Sequence, residues 1–208
     1  MTYGTMQAQI ADEIMRDDLG PQIKTAIQTA ITRHQSARFS FNETYADFNT
    51  VIGADEYKSG SPGYPTDLIY MDAVWCTANG SHLPLIQKNW EQFDAMRGTA
   101  NGNTGRPTHY ATFRGSLFIY PVPDQVYSMR VTYLKKLSTL SLDSDTNAWI
   151  TDGEEVIRMR AEQILYQTVL NDPDLASLAK EAADTALASL QSSDEANTAS
   201  GTLLGSNW

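Results

Sequence analysis

The sequence predicts an α+β protein, in which helices from both ends of the chain form a bundle platform that carries an inserted antiparallel β-rich module. Near both ends, apolar residues recur every three or four positions, as in amphipathic helices. Between the ends the period changes to two, and turn dipeptides separate short apolar runs. We therefore expect platform helices at 1–38, the β-rich module at 39–140, further platform helices at 141–190 and a flexible tail at 191–208.

The first part carries a helical stripe of isoleucines between residue 7 and about residue 38. Its members are Ile10, Ile14, Ile23, Ile27 and Ile31. Gly20 and Pro21 interrupt the stripe, and proline is favoured as the first residue of a helix because its fixed φ suits that position. We therefore expect two helices. His34 lies on the same stripe, which favours a packed or interface histidine over a catalytic one.

The β-rich module is expected to begin with a strand at 39–51, FSFNETYADFNTV. One parity of this segment is shared by Phe39, Phe41, Tyr45 and Val51. Phe48 has the other parity, which predicts a β-bulge. Farther along, Asn79-Gly80 between apolar runs predicts a hairpin over 68–85. A short helix is expected at 87–96 and another strand at 126–137.

A second hairpin is predicted in RPTHYATFRGSLFIYPVPD, residues 106–124, with Arg114-Gly115 as its turn. A two-residue loop would pair His109 with Tyr120, Tyr110 with Ile119, Ala111 with Phe118, Thr112 with Leu117 and Phe113 with Ser116. Both faces carry apolar groups, so burying both requires another layer of the same chain or another subunit. The candidate subunit-interface residues are His109, Phe113, Phe118 and Tyr120.

The chain returns to helix at 153–170, where Glu154 lies four residues before Arg158 and can pair with it. Asp172 can cap a following helix that begins at Pro173 and extends to about residue 190. One face of that helix is expected to carry Leu175, Leu178, Ala182 and Leu190.

The tail at 191–208 is polar and is not expected to fold alone. It nevertheless holds Leu203, Leu204 and Trp208 within its last six residues. Exposed apolar groups of this kind bind in a partner's groove, so we interpret these three residues as candidate partner-binding anchors. An idle tail is the alternative.

The segment DSDTNAWITDGE at 143–154 partly matches a calcium-binding loop. Its candidate ligands are Asp143, Asp145, Asn147 and Glu154. Ala148 stands where the template requires glycine, and no helix is expected to precede the loop. A β-to-α connection, in which Asp and Asn side chains bind the turn backbone, is therefore favoured, and calcium remains the alternative.

Composition and motifs bear on the class of function. The net charge is −10, and the only adjacent basic residues are Lys135-Lys136, so sequence-specific DNA binding is not expected. No apolar run approaches the roughly 20 residues of a membrane span, and the start shows no secretory-signal pattern. Cys76 is the single cysteine, which excludes an internal disulfide. Because no nucleophile–base, metal or phosphate motif is found, we expect neither enzymatic activity nor a cofactor.

Three segments resemble the head-to-tail connector (adaptor) proteins of tailed bacteriophages. They are ADEIMRDDLGPQIKTAIQTAITRHQSARFSFNET, GRPTHYATFRGSLFIYPVPD and DTNAWITDGEEVIRMRAEQILYQTVLNDPDLASLAKEAADTAL. The similarity extends over approximately residues 8–190, and it rests on the order of these segments, since none is a catalytic signature.

The resemblance implies a structural virion protein, made in the host cytoplasm and located at the head–tail interface. Copies would form a twelve-fold ring beneath the portal protein and would offer a docking surface to a tail or nozzle protein. Double-stranded DNA would pass through the ring without specific binding. In some relatives the C-terminal segment reaches the portal, which suits the anchor residues at 203–208.

Two other classes of function remain open. A carbohydrate- or host-surface-binding β module would use exposed Trp75, Trp90 and Tyr120. A metal-dependent or cysteine hydrolase would need a cleft around Cys76 or around the loop at 143–154.

Overall fold

The described part of the chain folds into two units, each with its own hydrophobic core. The structure, a computed structural model, describes residues 1–78, 80–99 and 103–203, with 78, 99 and 197–203 described by backbone alone. The helical unit comprises Met1–Asn42 and the chain from Leu137 onward, and the strand unit comprises Glu43–Lys136. The prediction of an α+β fold is confirmed.

The helices are α1 (Tyr3–Glu13), α2 (Gly20–His34), α3 (Trp90–Thr99), α4 (Ala148–Thr151), α5 (Glu154–Leu165) and α6 (Pro173–Leu203). Short 3₁₀ segments lie at Asp17–Leu19 and Ser40–Asn42, and a π-helical turn at Tyr166–Leu170 follows α5. The strands are β1 (Glu43–Asn49), β2 (Glu56–Tyr57), β3 (Leu68–Ala78), β4 (Ser81–Pro84), β5 (Ile86–Gln87), β6 (His109–Phe113), β7 (Ser116–Tyr120) and β8 (Ser128–Lys135). No helix in the described ranges is long and apolar enough to cross a membrane.

The helical unit is organised around α5, which packs against both α2 and α6. Local sequence sets the helix starts. Thr2 caps α1 through a reciprocal pair of bonds with Thr5, Pro21 lies in the first turn of α2, and Asp172 caps α6 by accepting from the backbone N–H of Leu175. The predicted helix break before Pro21 and the predicted cap at Asp172 are both confirmed.

Trp149 is the aromatic centre of the helical unit and is fully buried. Phe39 meets it edge-on at a centroid distance of 5.5 Å and Phe41 at 5.1 Å, while His34 lies 6.0 Å away. The expectation that Phe39 and Phe41 belong to the first strand was therefore wrong. β1 begins only at Glu43, because both phenylalanine rings pack in the helical core instead.

The one fully buried side chain of β1 has the parity of Phe48 and not that of Tyr45. Tyr45 is 59% exposed, whereas Phe48 is 3% exposed and packs in the core of the strand unit. β1 pairs with β8 without interruption, so it contains no bulge. The register shifts lie instead between β3 and β8, near Leu68 and Met71.

The described residues of the strand unit form two four-stranded sheets, in the orders β1-β8-β3-β4 and β2-β7-β6-β5. Neighbouring strands are antiparallel except β5 and β6, which are parallel. The predicted hairpin of β3 and β4 is confirmed, with Ala78 opposite Ser81. Its turn includes Asn79, which lies outside the described residues.

α6 differs from the sequence prediction in its packed face and in its length. The buried residues are Ala176, Ala179, Ala183 and Ala186. Leu175 and Leu178, which the sequence placed together near one face, are 42% and 61% exposed. Small alanine side chains let α6 approach α5 closely, and this close approach outweighs the burial of two leucines on a more distant helix. The helix also continues to Leu203, through the first part of the segment expected to be a flexible tail.

Candidate interaction surfaces

The hairpin of β6 and β7 forms with the predicted register. His109 lies opposite Tyr120 and Phe113 opposite Ser116, with the intervening pairs as expected. The turn residues Arg114 and Gly115 both have positive φ, 51° and 79°. This geometry matches a two-residue turn whose twist suits the flanking strands, and glycine adopts it without steric cost.

The two faces of this hairpin are buried against different parts of the strand unit. Tyr110, Leu117 and Ile119 point into the main core between the sheets. Ala111 and Tyr120 on the other face pack with Phe93 of α3 in a second, smaller core. The sequence left open whether another layer of the same chain or another subunit covers the outer face. The packing against α3 shows that another layer of the same chain covers much of it.

A row of aromatic rings and guanidinium groups runs along the edge of this outer face. Phe113 stacks on Trp90 at 4.4 Å with an interplanar angle of 12°, and Trp90 lies 4.8 Å from Phe118. Arg114 lies over the Phe113 ring and Arg97 over the Phe118 ring. Such contacts are worth about 0.5–1 kcal/mol each at exposed sites, so the row fixes α3 on the sheet.

The candidate subunit-interface residues differ in how far they reach the surface. Tyr120 is 8% exposed and contacts Phe93, so it is already used inside the strand unit. His109 is half-buried, and its Nδ1 lies 2.9 Å from the Thr108 hydroxyl. Phe113 is 36% exposed, and Phe118 is half-buried. Their role between subunits stays a prediction.

In the 143–154 segment, two candidate calcium ligands are engaged by the backbone. Asp145 Oδ2 accepts from the N–H groups of Ser141 and Leu142 at 2.7 and 2.8 Å, and these hydrogen bonds lower the pKa of Asp145. Asn147 caps α4 by accepting from the backbone N–H of Ile150, and its side-chain N–H donates to a backbone carbonyl. These contacts match the β-to-α connection that the sequence favoured.

The other two candidate ligands pair with basic groups. Asp143 Oδ1 lies 3.4 Å from Lys24 Nζ, and Glu154 Oε1 lies 3.1 Å from Arg158 Nε. Across the described ranges, no group of three or more His, Cys, Asp or Glu side chains is arranged to hold a metal ion.

An acidic pair, the exposed Glu13 and the buried Glu162, joins α1 to α5. Arg158 Nη1 lies 2.6 Å from Glu13 Oε1 but 3.8 Å from Glu162 Oε1, and that Glu162 oxygen is buried with no hydrogen-bond partner among the described residues. Burial, the hydrogen bond with Glu13 and the charge of Glu13 raise the pKa of Glu162 to about 8. Although burial opposes it, hydrogen bonds with Glu162 and Arg158 lower the pKa of Glu13. The pKa values of the two carboxyl groups are therefore displaced in opposite directions.

A surface groove in the helical unit has a volume of about 860 Å³. Its lining combines the polar face of α2 with Tyr3 and the segment 139–141. Lys24 and Arg33 are its charged members. Both charged lining residues are therefore basic, although the chain as a whole has a net charge of −10.

The cysteine is not positioned for catalysis. Cys76 lies in β3, is fully buried, and burial raises the pKa of its thiol. A buried, protonated thiol neither attacks a substrate nor binds a metal readily.

The expected C-terminal anchors lie at or beyond residue 203, the last described residue. The backbone of Leu203 ends α6, whereas Leu204 and Trp208 lie outside the described residues.

Comparison with known proteins gives a match to one protein family. The family model described as SU10 adaptor protein matches residues 1–203, which is nearly the whole chain. A search of curated proteins finds no match. The family consists of phage structural adaptors, which are not a class of enzyme. The chain therefore belongs to the SU10 adaptor protein family.

Proposed function

We propose that this protein is a head-to-tail connector, which forms a ring beneath the portal of a tailed bacteriophage and gives the tail its docking surface. The match of residues 1–203 to an adaptor family carries the proposal. The chain offers surfaces for docking, namely a wide groove on the helical unit and an aromatic row on the strand unit. Its location is the head–tail interface of the virion.

The ring contains twelve copies and surrounds the DNA channel. An acidic chain suits that position, because like charge prevents DNA phosphates from adhering to the wall during passage. Its partners are the portal protein, neighbouring copies of itself, and a tail or nozzle protein. The residues Leu203, Leu204 and Trp208 are its anchors on the portal.

The test is co-sedimentation with purified portal rings of the same virus. The full chain is compared with a chain that ends at residue 202, which lacks the three anchors. This end point spares Asp194, whose carboxylate accepts from the backbone N–H of Ser40 and ties α6 to the rest of the helical unit. Loss of binding therefore reports on the anchors and not on a damaged fold.

We expect saturable binding of the full chain and weak or no binding of the shortened one. Equal binding by both chains would preserve the connector role but would overturn the anchor assignment. Absence of binding by both, with portal rings shown to bind a known connector, would overturn the proposed function. Ring symmetry is read from electron micrographs of the sedimented complex, where any count other than twelve would contradict the stoichiometry.

A further inference from the structure

α6 carries a second stripe of uncharged residues that its own unit does not cover. The stripe consists of Leu175, Leu178, Ala182, Thr185 and Ser189, all exposed. Their spacing of three and four residues places them along one line of the helix surface, as in the contact seam of a coiled coil. We call this line the leucine stripe.

The leucine stripe is separate from the face that holds α6 in place. That face is the alanine line, and an ion pair between Arg160 Nη2 and Asp184 Oδ1 at 2.7 Å adds to it. The helix is therefore docked by its smallest side chains, while its two leucines near the start face outward. Leu175 and Leu178 lie three residues apart and are therefore neighbours on the helix surface.

The same unit contains an apolar groove between α2 and the end of α5. It has a volume of about 330 Å³, and its lining includes Pro21, Thr25, Ala26, Ile164, Thr168 and Val169. None of the lining residues is charged, and none belongs to the leucine stripe. We call it the α2–α5 groove.

Charge indicates what fits these two surfaces. Two copies of a chain with a net charge of −10 repel each other over most of their surfaces. They approach most easily where both surfaces are uncharged, and the leucine stripe and the α2–α5 groove both lack charged residues and carry apolar side chains. The complementary shapes, a ridge of leucines and a groove, belong to the same polypeptide.

We propose that the leucine stripe of one copy seats in the α2–α5 groove of a second copy. This inference rests on the proposed ring, and it assigns the contact between neighbours. Because the two surfaces are different, each copy gives its stripe to one neighbour and receives the stripe of another. A heterologous contact builds a closed ring when the rotation from one copy to the next divides a full turn, whereas a contact between two stripes would stop at a dimer and leave the groove empty.

Cysteine crosslinking tests the contact directly. Leu178 and Thr168 are both exposed, and the native Cys76 is fully buried, so new thiols at 178 and 168 can be oxidised selectively. The variants are Leu178→Cys, Thr168→Cys and the double variant. A disulfide forms only where the two Cα atoms approach within about 7 Å.

The heterologous contact predicts a distinct pattern on a non-reducing gel. The double variant should give a ladder of dimers, trimers and larger species, and a mixture of the two single variants should give dimers only. Dimers from Leu178→Cys alone would indicate contact between two stripes and overturn the proposal. Absence of any crosslink, in free protein and in protein bound to portal rings, would also overturn it.

Charge substitution provides an independent measurement. Leu178→Asp should weaken self-association about 10- to 100-fold, which is the factor expected for losing one buried leucine. Ala188→Asp adds the same charge at an exposed position of α6 that lies off the leucine stripe, and it should have little effect. Equal effects of the two variants would contradict the assigned contact. Circular dichroism confirms that both variants keep their helices.

The inference and the proposed function can fail separately. Portal binding without the crosslinked ladder would remove the assigned contact and leave the connector role. A ladder without portal binding would leave the contact and remove the connector role.

Discussion

Replacing Glu162 by glutamine should remove most of the pH dependence of stability between about pH 4.5 and pH 8. Glu162 is 7% exposed, and its pKa is raised from 4.5 to about 8 by burial and by Glu13. Below pH 4.5 both the folded and the unfolded chain hold this proton. Between the two values only the folded chain holds it, so the stability contributed by the neutral carboxyl group falls as pH rises and is lost above about pH 8.

The pKa difference sets an upper limit on how much the free energy of unfolding changes with pH. A pKa difference between 4.5 and about 8 corresponds to about 5 kcal/mol, at about 1.4 kcal/mol for each pH unit. The folded chain can relax, because Glu13 is one-third exposed and its end of α1 can admit water. We therefore expect Glu162→Gln and the unsubstituted chain to have similar free energies of unfolding at pH 5. At pH 9 the free energy of unfolding of Glu162→Gln should be higher by about 1–3 kcal/mol.

The assay is urea unfolding at pH 5, 7 and 9, followed by far-ultraviolet circular dichroism, which reports mainly on the helices. Glu155→Gln is the matched control, because Glu155 is exposed on the same helix and the substitution removes the same charge. At pH 5 both variants should resemble the unsubstituted chain. If Glu162→Gln keeps the same pH dependence as Glu155→Gln, the pKa of Glu162 is not raised in the folded chain and the reasoning is refuted.

Three further predictions follow from single contacts. Gly153→Ala would place a Cβ atom 2.7 Å from Cε3 of Trp149 and should lower the free energy of unfolding by about 1–3 kcal/mol. The control Gly98→Ala meets no atom within 4 Å and should be neutral or stabilising by up to about 1 kcal/mol. Equal urea midpoints of the two variants would contradict the packing of Gly153 against Trp149. Asp145→Ala should lower the urea midpoint, because two backbone N–H groups lose their acceptor. Excess calcium should leave the midpoint of the unsubstituted chain unchanged, and a rise would instead support a calcium site. Cys76 should react with a thiol reagent only as fast as the chain unfolds, and rapid labelling of the folded protein would show that the thiol is accessible.

The sequence by itself determined the features that depend on neighbouring residues. The register of the β6–β7 hairpin follows from a two-residue turn, since one residue more or less would move every side chain to the other face. The start of α6 follows from Asp172 and Pro173, whose side chains act on the adjacent backbone. The order of such local segments was also sufficient to indicate the adaptor family.

Only the tertiary structure decided which apolar residues are buried. The leucines and the alanines of α6 both repeat at helical spacing, and packing against α5 selected the alanines. Phe39 and Phe41 alternate like strand residues, yet Trp149, distant in the sequence, draws them into the helical core. The raised pKa of Glu162 likewise requires α1 and α5 to meet, because Glu13 on the other helix is one of its causes. Periodicity indicates that one face of an element is apolar. The residues that cover this face come from elsewhere in the chain or from another molecule, so the local sequence does not identify them.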